Sequence, residues 1–428
     1  MTNKYPGPAV LPALIFTGVT RLQKRKITSP YGSAYFINLP SVLLAGHHLL
    51  NMQDLRSFFE EEHFIETKEE GTYQPLQLGA NINCATSKYF DWADADMVIV
   101  GCGERRGSNA DSSYSNSPNV IREELYKMYY WHTAIKIADA GNIREGATID
   151  DTRAALLAVL QEIHNAGKIA IVIGGSHDLT LQQYEVFKKA EKMATISVAD
   201  MLIDLDEAEE TNAASFLMDM LTGTPNFTTH YNHIAFQSYY AHPRMLETLD
   251  KLRFDFFRLG KVREQIEDME PVLRTSDLFS FDMSAVRYCD APANVNGSPN
   301  GLAGEEACLL TRYAGMSDKL TTVGIYGYNE ADDVHNMTAK LISQMIWYFV
   351  DGYLVRKTEA KLTERDEFIV FNVAFTDNDT VFLKSKRTNR WWMKLPDNSF
   401  VPCSYNDYLV ASNDEIPERW LREQERLL

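Results

Sequence analysis

The sequence predicts an α/β fold: a mostly parallel sheet covered on both faces by helices, with an extension at each end. Three observations carry that expectation. Short apolar runs that stop at glycine or at polar residues recur from residue 97 onward, the pattern of buried strands. Stretches with helix start and stop signals separate them. Strands alternating with helices imply right-handed crossovers, which cover both faces of a parallel sheet.

The elements follow in order. Met97-Val-Ile-Val-Gly-Cys102 is the first buried strand. A polar loop, Gly103 to Asn116, leads to Ser117-Pro118, an N-cap and a first-turn proline for a helix reaching about His132. Asp150 or Asp151 caps the next helix, which runs through Ile163 and stops near Ala166-Gly167. Lys168-Ile-Ala-Ile-Val-Ile-Gly-Gly175 is again a strand ending in glycines. A helix from about Leu181 to Lys192 precedes a strand from Ala194 to Val198. Further strands are expected over Ile234 to Ser238, Leu278 to Phe281 and Thr322 to Tyr326, and a long apolar helix from Ala339 to Val350 closes the region. In the last part, Glu367 to Val373 and Thr380 to Leu383 flank Asp377-Asn-Asp379 as a hairpin, and a short amphipathic helix starts at Pro417.

This reading divides the chain into an N-terminal extension (1–92), an α/β domain (93–355) and a C-terminal extension packed on the core (356–428). The first piece is broken by Pro6, Pro8, Pro12, Pro30 and Pro40, and its acidic run Asp54 to Glu70 looks helical. His47-His48 reads as a satisfied or solvated pair rather than a ligand pair.

Composition narrows the function. With 428 residues, 45% hydrophobic and 24% charged, the chain builds a sizeable core, as two or three domains or as one large domain with appendages. Wholesale disorder is excluded. With 42 Lys+Arg against 59 Asp+Glu the formal charge is −17, which disfavours nucleic-acid and membrane partners. The basic and aromatic stretch Lys384 to Lys394 accordingly reads as Trp391-Trp392 packing under lysine stems, not as a single-strand groove. Five cysteines (Cys84, Cys102, Cys289, Cys308, Cys403), odd in number and without CxxC spacing, point to reduced thiols in a cytoplasmic protein. The apolar stretch Ala9 to Val19 contains Pro12 and is too short to span a bilayer, so it reads as packing sequence.

Ligands of parallel sheets bind at the carboxyl ends of the strands. Three such ends carry polar groups here: Gly174-Gly-Ser-His-Asp178, Asp200-Met-Leu-Ile-Asp204, and Ser280-Phe-Asp-Met-Ser284. Carboxylates crowded at one point repel each other unless protonated or paired with a cation. One His with three Asp is an oxygen-rich donor set suited to Mn²⁺ or a similar divalent ion.

In these motifs and their order the sequence resembles the ureohydrolases (arginase, agmatinase, formimidoylglutamase) over about residues 95–350. Ser117-Pro-Asn-Val-Ile-Arg122, Asp290-Ala-Pro292 and the Gly/Pro-rich stretch Asn296 to Gly304 add to the match. The resemblance implies the arginase-like three-layer α-β-α fold, assembly as a homo-oligomer, and a binuclear Mn²⁺ centre acting on a small guanidino or formimino compound. The long extensions leave the oligomeric state open. Carried over by motif, the donors of one metal are His177, Asp200, Asp204 and Asp282. The two donors unique to the second metal are replaced by Leu202 and Ser284. At most one tightly held metal is therefore expected. Asp178 stands as a partner of the ligands or an altered ligand. The family's substrate-binding glutamate falls near Gly327, with Glu330 close by but out of register. Three readings follow: a divergent C–N hydrolase with one metal or a rebuilt site; a catalytically silent scaffold or binding protein with one structural ion or none; and, behind both because of the net charge, a nucleic-acid partner through Lys384 to Lys394.

Overall fold

The computed structural model describes residues 55–84, 91–108, 115–375 and 378–427. The prolines and the apolar run before residue 41, His47-His48, Asp54, most of the loop after Ser108, and Asp377 of the hairpin turn lie outside them.

A nine-stranded sheet forms the core. Its strands are β1 (Asn83–Cys84), β2 (Met97–Gly101), β3 (Ile137–Asn142), β4 (Ile169–Ile173), β5 (Ala194–Ala199), β6 (Thr228–Phe236), β7 (Asp255–Arg258), β8 (Leu278–Asp282) and β9 (Thr322–Tyr326). They lie in the order β1-β3-β2-β4-β9-β8-β5-β6-β7, and every neighbouring pair is parallel. The predicted mostly parallel sheet is what forms. Alternation decides which side chain faces which layer. Met97 and Ile99 of β2 join Ile171 and Ile173 of β4 against the helices Ser117–Leu125, Gly304–Gly315 and Met337–Thr358. Val98 and Val100, with Ala170 and Val172, face Leu156, Val159 and Ile163 of the helix Ile149–Asn165.

Several boundaries differ from the sequence expectation, each for a tertiary or capping reason. The helix from Ser117 ends at Leu125, not near His132, because the carbonyls of Tyr126 and Met128 accept from Gly79 and Leu78 of a neighbouring turn. The helix expected to start at Asp150 or Asp151 is capped by Thr148, with Asp151 returning the second bond of a capping box. Among the described residues of the acidic run, Leu55 and Arg56 are helical, Phe59 bridges to Ile143, and Phe64–Thr67 form a 3₁₀ segment. Strands β1, β3 and β7 were not anticipated, and β6 starts at Thr228 rather than Ile234; β3 and β7 carry polar residues that mask their periodicity.

A second, four-stranded antiparallel sheet follows: β10 (Phe368–Phe375), β11 (Asn378–Ser385), β12 (Trp391–Lys394) and β13 (Phe400–Cys403). The expected hairpin is β10–β11. Trp391 and Trp392 are buried on opposite faces of β12, and Lys384 Nζ lies 5.5 Å over the Trp391 ring. The helices Tyr405–Ser412 and Glu418–Leu427 end the chain. Among the described residues no helix is long and apolar enough to cross a membrane.

Candidate metal centre

β4, β8 and β5 deliver three polar strand ends to one place, since β9 alone separates β4 from β8 and β8 is next to β5. After β4 the chain turns through Gly174 and Gly175, both at positive φ (92° and 76°). A Cβ on Gly175 would lie 2.6 Å from the Cys102 carbonyl, so only glycine fits this turn. The turn drops into the 3₁₀ segment His177–Leu179, which points His177 back over the sheet.

His177, Asp200, Asp204 and Asp282 are all buried, with relative exposures of 3%, 3%, 5% and 8%. His177 Nδ1 lies 3.0 Å from Asp200 Oδ2, 3.1 Å from Asp204 Oδ2 and 3.7 Å from Asp282 Oδ2. Close as these oxygens are, none makes a hydrogen bond of good geometry with Nδ1. The other nitrogen, Nε2, sits 3.0 Å from Ser280 Oγ, which is 2.6 Å from Thr180 Oγ1. With a proton on Nε2 directed at Ser280, Nδ1 is the nitrogen that would ligate a cation placed among the carboxylates. Phe216 packs edge-on to the imidazole at 4.7 Å and holds its plane.

This arrangement fits a cation. Adjacent donors on an octahedral ion with bonds of about 2.1 Å are about 3.0 Å apart, close to the spacing seen from Nδ1 to Asp200 and Asp204. His177, Asp200 and Asp282 bring one donor atom each within 4.8 Å of one another. Asp204 reaches His177 but does not belong to that mutually close set.

Electrostatics point the same way. Without a cation, burial and the Asp200 charge push Asp204 well up and Asp282 up to about 6. Burial alone would lower His177, but its contacts with Asp200 and Asp204 and the charge of Asp282 raise it well above the usual imidazole range. Burial likewise opposes ionisation of Asp200, but His177 and Ser284 outweigh it and hold the carboxyl down at about 2. Protons thus fill the part a cation would take.

Leu202 and Ser284, the residues expected in place of second-metal donors, are placed differently. Leu202 offers no donor side chain, but its N–H donates to Asp200 Oδ1 at 3.0 Å. Ser284 Oγ donates to the same oxygen at 2.6 Å, and Ser284 N–H donates to Asp282 Oδ1 at 2.7 Å. Each of these two carboxylates therefore presents Oδ2 to His177 and spends Oδ1 on hydrogen-bond donors. Gly327, at φ 78°, lies so near that a Cβ there would be 2.6 Å from Asp282 Oδ2. No longer side chain fits at that position as the backbone stands.

The remaining two expected site residues turn elsewhere. Asp178 is fully buried and paired with Arg153, at 2.6 Å from Nη2 and 3.2 Å from Nε, so it braces the turn against the helix Ile149–Asn165. Glu330 accepts from Ser115 Oγ (2.6 Å) and Asn116 N–H (3.0 Å) and ties down the segment before the Ser117 helix. Ser280, Thr180 and Phe216 were missed as site residues. Ser280 was within reach of sequence reasoning, because it lies two residues before Asp282 on the same strand face.

A sequence model of the arginase family matches residues 95–351. The chain belongs to the arginase family. This arginase-family protein is 22% identical to the formimidoylglutamase of Staphylococcus carnosus (strain TM300) over 272 residues, 60% of this chain and 86% of the relative. Its fold is shared by the crystal structure of Trypanosoma cruzi formiminoglutamase with Mn²⁺₂, at TM-score 0.59 and 18% identity, covering 65% of this chain and 99% of that one. The formimidoylglutamase of Bacillus subtilis (subsp. subtilis str. 168) superposes at TM-score 0.59 and 15% identity over 67% and 95% of the two chains.

Proposed function

We propose that this arginase-family protein is a divergent hydrolase of linear C–N bonds in a small guanidino or formimino compound, working with one divalent cation, Mn²⁺ or a similar ion. The observation that carries this reading is His177 Nδ1: buried, without a hydrogen bond, and faced by three carboxylate oxygens. His177, Asp200 and Asp282 would hold the ion, with Asp204 beside them. When bound, the ion lowers the pKa of a coordinated water and offsets the charge that develops on the attacked carbon's substituents. The protein's own part is orientation. Ser280 sets the imidazole tautomer, Ser284 and the Leu202 N–H hold Asp200, and Asp178 with Arg153 braces the turn that carries His177.

A second reading, a catalytically silent ureohydrolase-fold scaffold, is favoured by Leu202, Ser284 and Gly327 taken together. Each lost electrostatic contact to a transition state costs on the order of 10²–10³ in rate. Elemental analysis of the purified protein, with an ammonia- and urea-release screen over guanidino and formimino compounds, separates the two. One ion per chain with turnover supports the hydrolase, whereas an inert ion or none supports the scaffold. Two ions per chain with arginine or agmatine turnover would sink both. The double variant Leu202→His, Ser284→Asp should raise the Mn²⁺ content from one ion to two by supplying the missing donors.

A further inference from the structure

A cleft of about 1140 Å³ lies at the amino ends of β5 and β6, whereas the candidate metal centre is at the carboxyl ends of its strands. It runs between the first residues of β5 and β6 (Thr195, Thr229, His230) and the C-terminal sheet (Trp392, Phe400 to Pro402). Its lining holds twice as many cationic as acidic side chains, in a chain whose formal charge is −17.

Half of those cations are already matched. Arg274 and Arg390 pair with Glu270 and Glu359, Lys357 with Asp96, and Arg426 with Asp255. The other four are not. Arg356 donates only to the carbonyls of Leu320 (3.0 Å) and Asp318 (2.7 Å), and Arg253 only to the Glu425 carbonyl at 3.0 Å. Neither these two nor Lys319 and Lys361 has a carboxylate within 4 Å among the described residues. Burial holds the Arg356 guanidinium below its usual value, and Arg390 is lowered by burial and by the neighbouring Arg274. Arg356 is half-buried while Arg253, Lys319 and Lys361 are exposed. Although Asp318 and Glu425 also line the cleft, the cations there outnumber the acids and repel one another unless an anion joins them. The cleft is far larger than one phosphate group needs and is comparable with sites for cofactor-sized ligands. Guanidinium forks and lysine point charges around such a space match a chain of phosphates.

We propose that this cleft binds a polyphosphate anion, either inorganic or the triphosphate of a nucleotide, through Arg253, Lys319, Arg356 and Lys361. It is a second site, independent of the metal centre. The overall negative charge keeps such anions from the rest of the surface, so binding is local and weakens with salt.

Calorimetric titration of the full chain with inorganic triphosphate and, separately, with adenosine triphosphate tests this at about 50 mM salt. Saturable one-to-one binding of both assigns the phosphate chain as the recognised group. Binding of the nucleotide alone adds the apolar wall of Leu252, Leu362 and Phe400 to recognition. The exposed pair Lys319→Glu, Lys361→Glu should weaken binding by about tenfold or more, and Lys319→Arg, Lys361→Arg should retain it. Unchanged thermal unfolding of the ligand-free variants establishes that they fold. Absence of binding to either anion up to about 1 mM, or charge-reversed protein binding as tightly as the unaltered chain, overturns the proposal.

Discussion

Two buried charge clusters sit in the same sheet and are built on opposite principles. In the first, Arg122 of the Pro-x-x-Ile-Arg helix grips Asp139 of β3 with two parallel bonds, at 2.7 and 2.9 Å. Tyr126 OH (2.6 Å) and Gly141 N–H (2.9 Å) also donate to Asp139, and His63 Nε2 stands 3.3 Å away. Burial opposes ionisation of Asp139, yet Arg122 and His63 overcome it and hold the carboxyl far below the carboxylate range. Arg122 donates its remaining N–H groups to Asn119 and Asn142 from Nη1 and to the Gly141 carbonyl from Nη2. Here every charge has its opposite and every donor an acceptor. In the second cluster three carboxylates meet a single imidazole, one nitrogen of which has no hydrogen bond. A closed cluster of the first kind stabilises a fold. An open one of the second kind is costly on its own and marks a place for a ligand.

Three experiments break or sharpen that contrast, and the largest effect belongs to the closed cluster. Arg122→Leu strands Asp139 without its counter-charge and should cost about 3–5 kcal/mol in urea-induced unfolding. A loss much under that would mean Asp139 is neutralised some other way. The open cluster should behave in reverse, with Asp282→Asn leaving the chelator-treated protein as stable as before or more so. Added Mn²⁺ should stabilise the unaltered chain by about 2.7 kcal/mol at a hundredfold excess over its Kd, and Asp282→Asn should lose most of that gain. Equal stabilisation of both proteins would place the ion elsewhere.

The smallest effect is one of pH. In chelator-treated protein, Asp204 and Asp282 have folded-state pKa values above those of the unfolded chain, and so does His177. Groups raised on folding contribute stability at low pH that is lost as pH rises through the folded value. The melting temperature should therefore fall as pH climbs from about 4 past 6, the window set by Asp282. Asp200 acts in the opposite sense, but only below the ordinary carboxylate range, down towards about 2. Saturating Mn²⁺ should flatten or invert this slope. An unchanged slope with metal would argue that these carboxylates do not meet the ion.

Much of the sheet was legible in advance because buried parallel strands carry uninterrupted apolar runs. β2, β4, β5, β8 and β9 were all anticipated within about two residues at either end, and the motif at each strand end placed the candidate donors. β3 and β7 escaped notice because Asp139, Asn142, Asp255 and Arg258 interrupt their runs. Asp139, Asn142 and Asp255 are buried and bound by partners distant in sequence, such as Arg122 for Asp139 and Arg422 for Asp255.

The sequence by itself determined the alternating plan, the burial of the strands, and the residue types available at the strand ends, because these rest on local periodicity and turn chemistry. Only the tertiary structure decided how those residues are used. It turned Asp178 to Arg153 and Glu330 to Ser115, set Ser280 behind His177 across 103 residues of chain, and pressed Gly327 against Asp282. It also gave Ser284 two bonds to carboxylates of different strands and gathered cations from distant segments into one cleft. The physical reason is range: hydrogen bonds and charge pairs act over a few ångströms, and folding alone brings such groups that close.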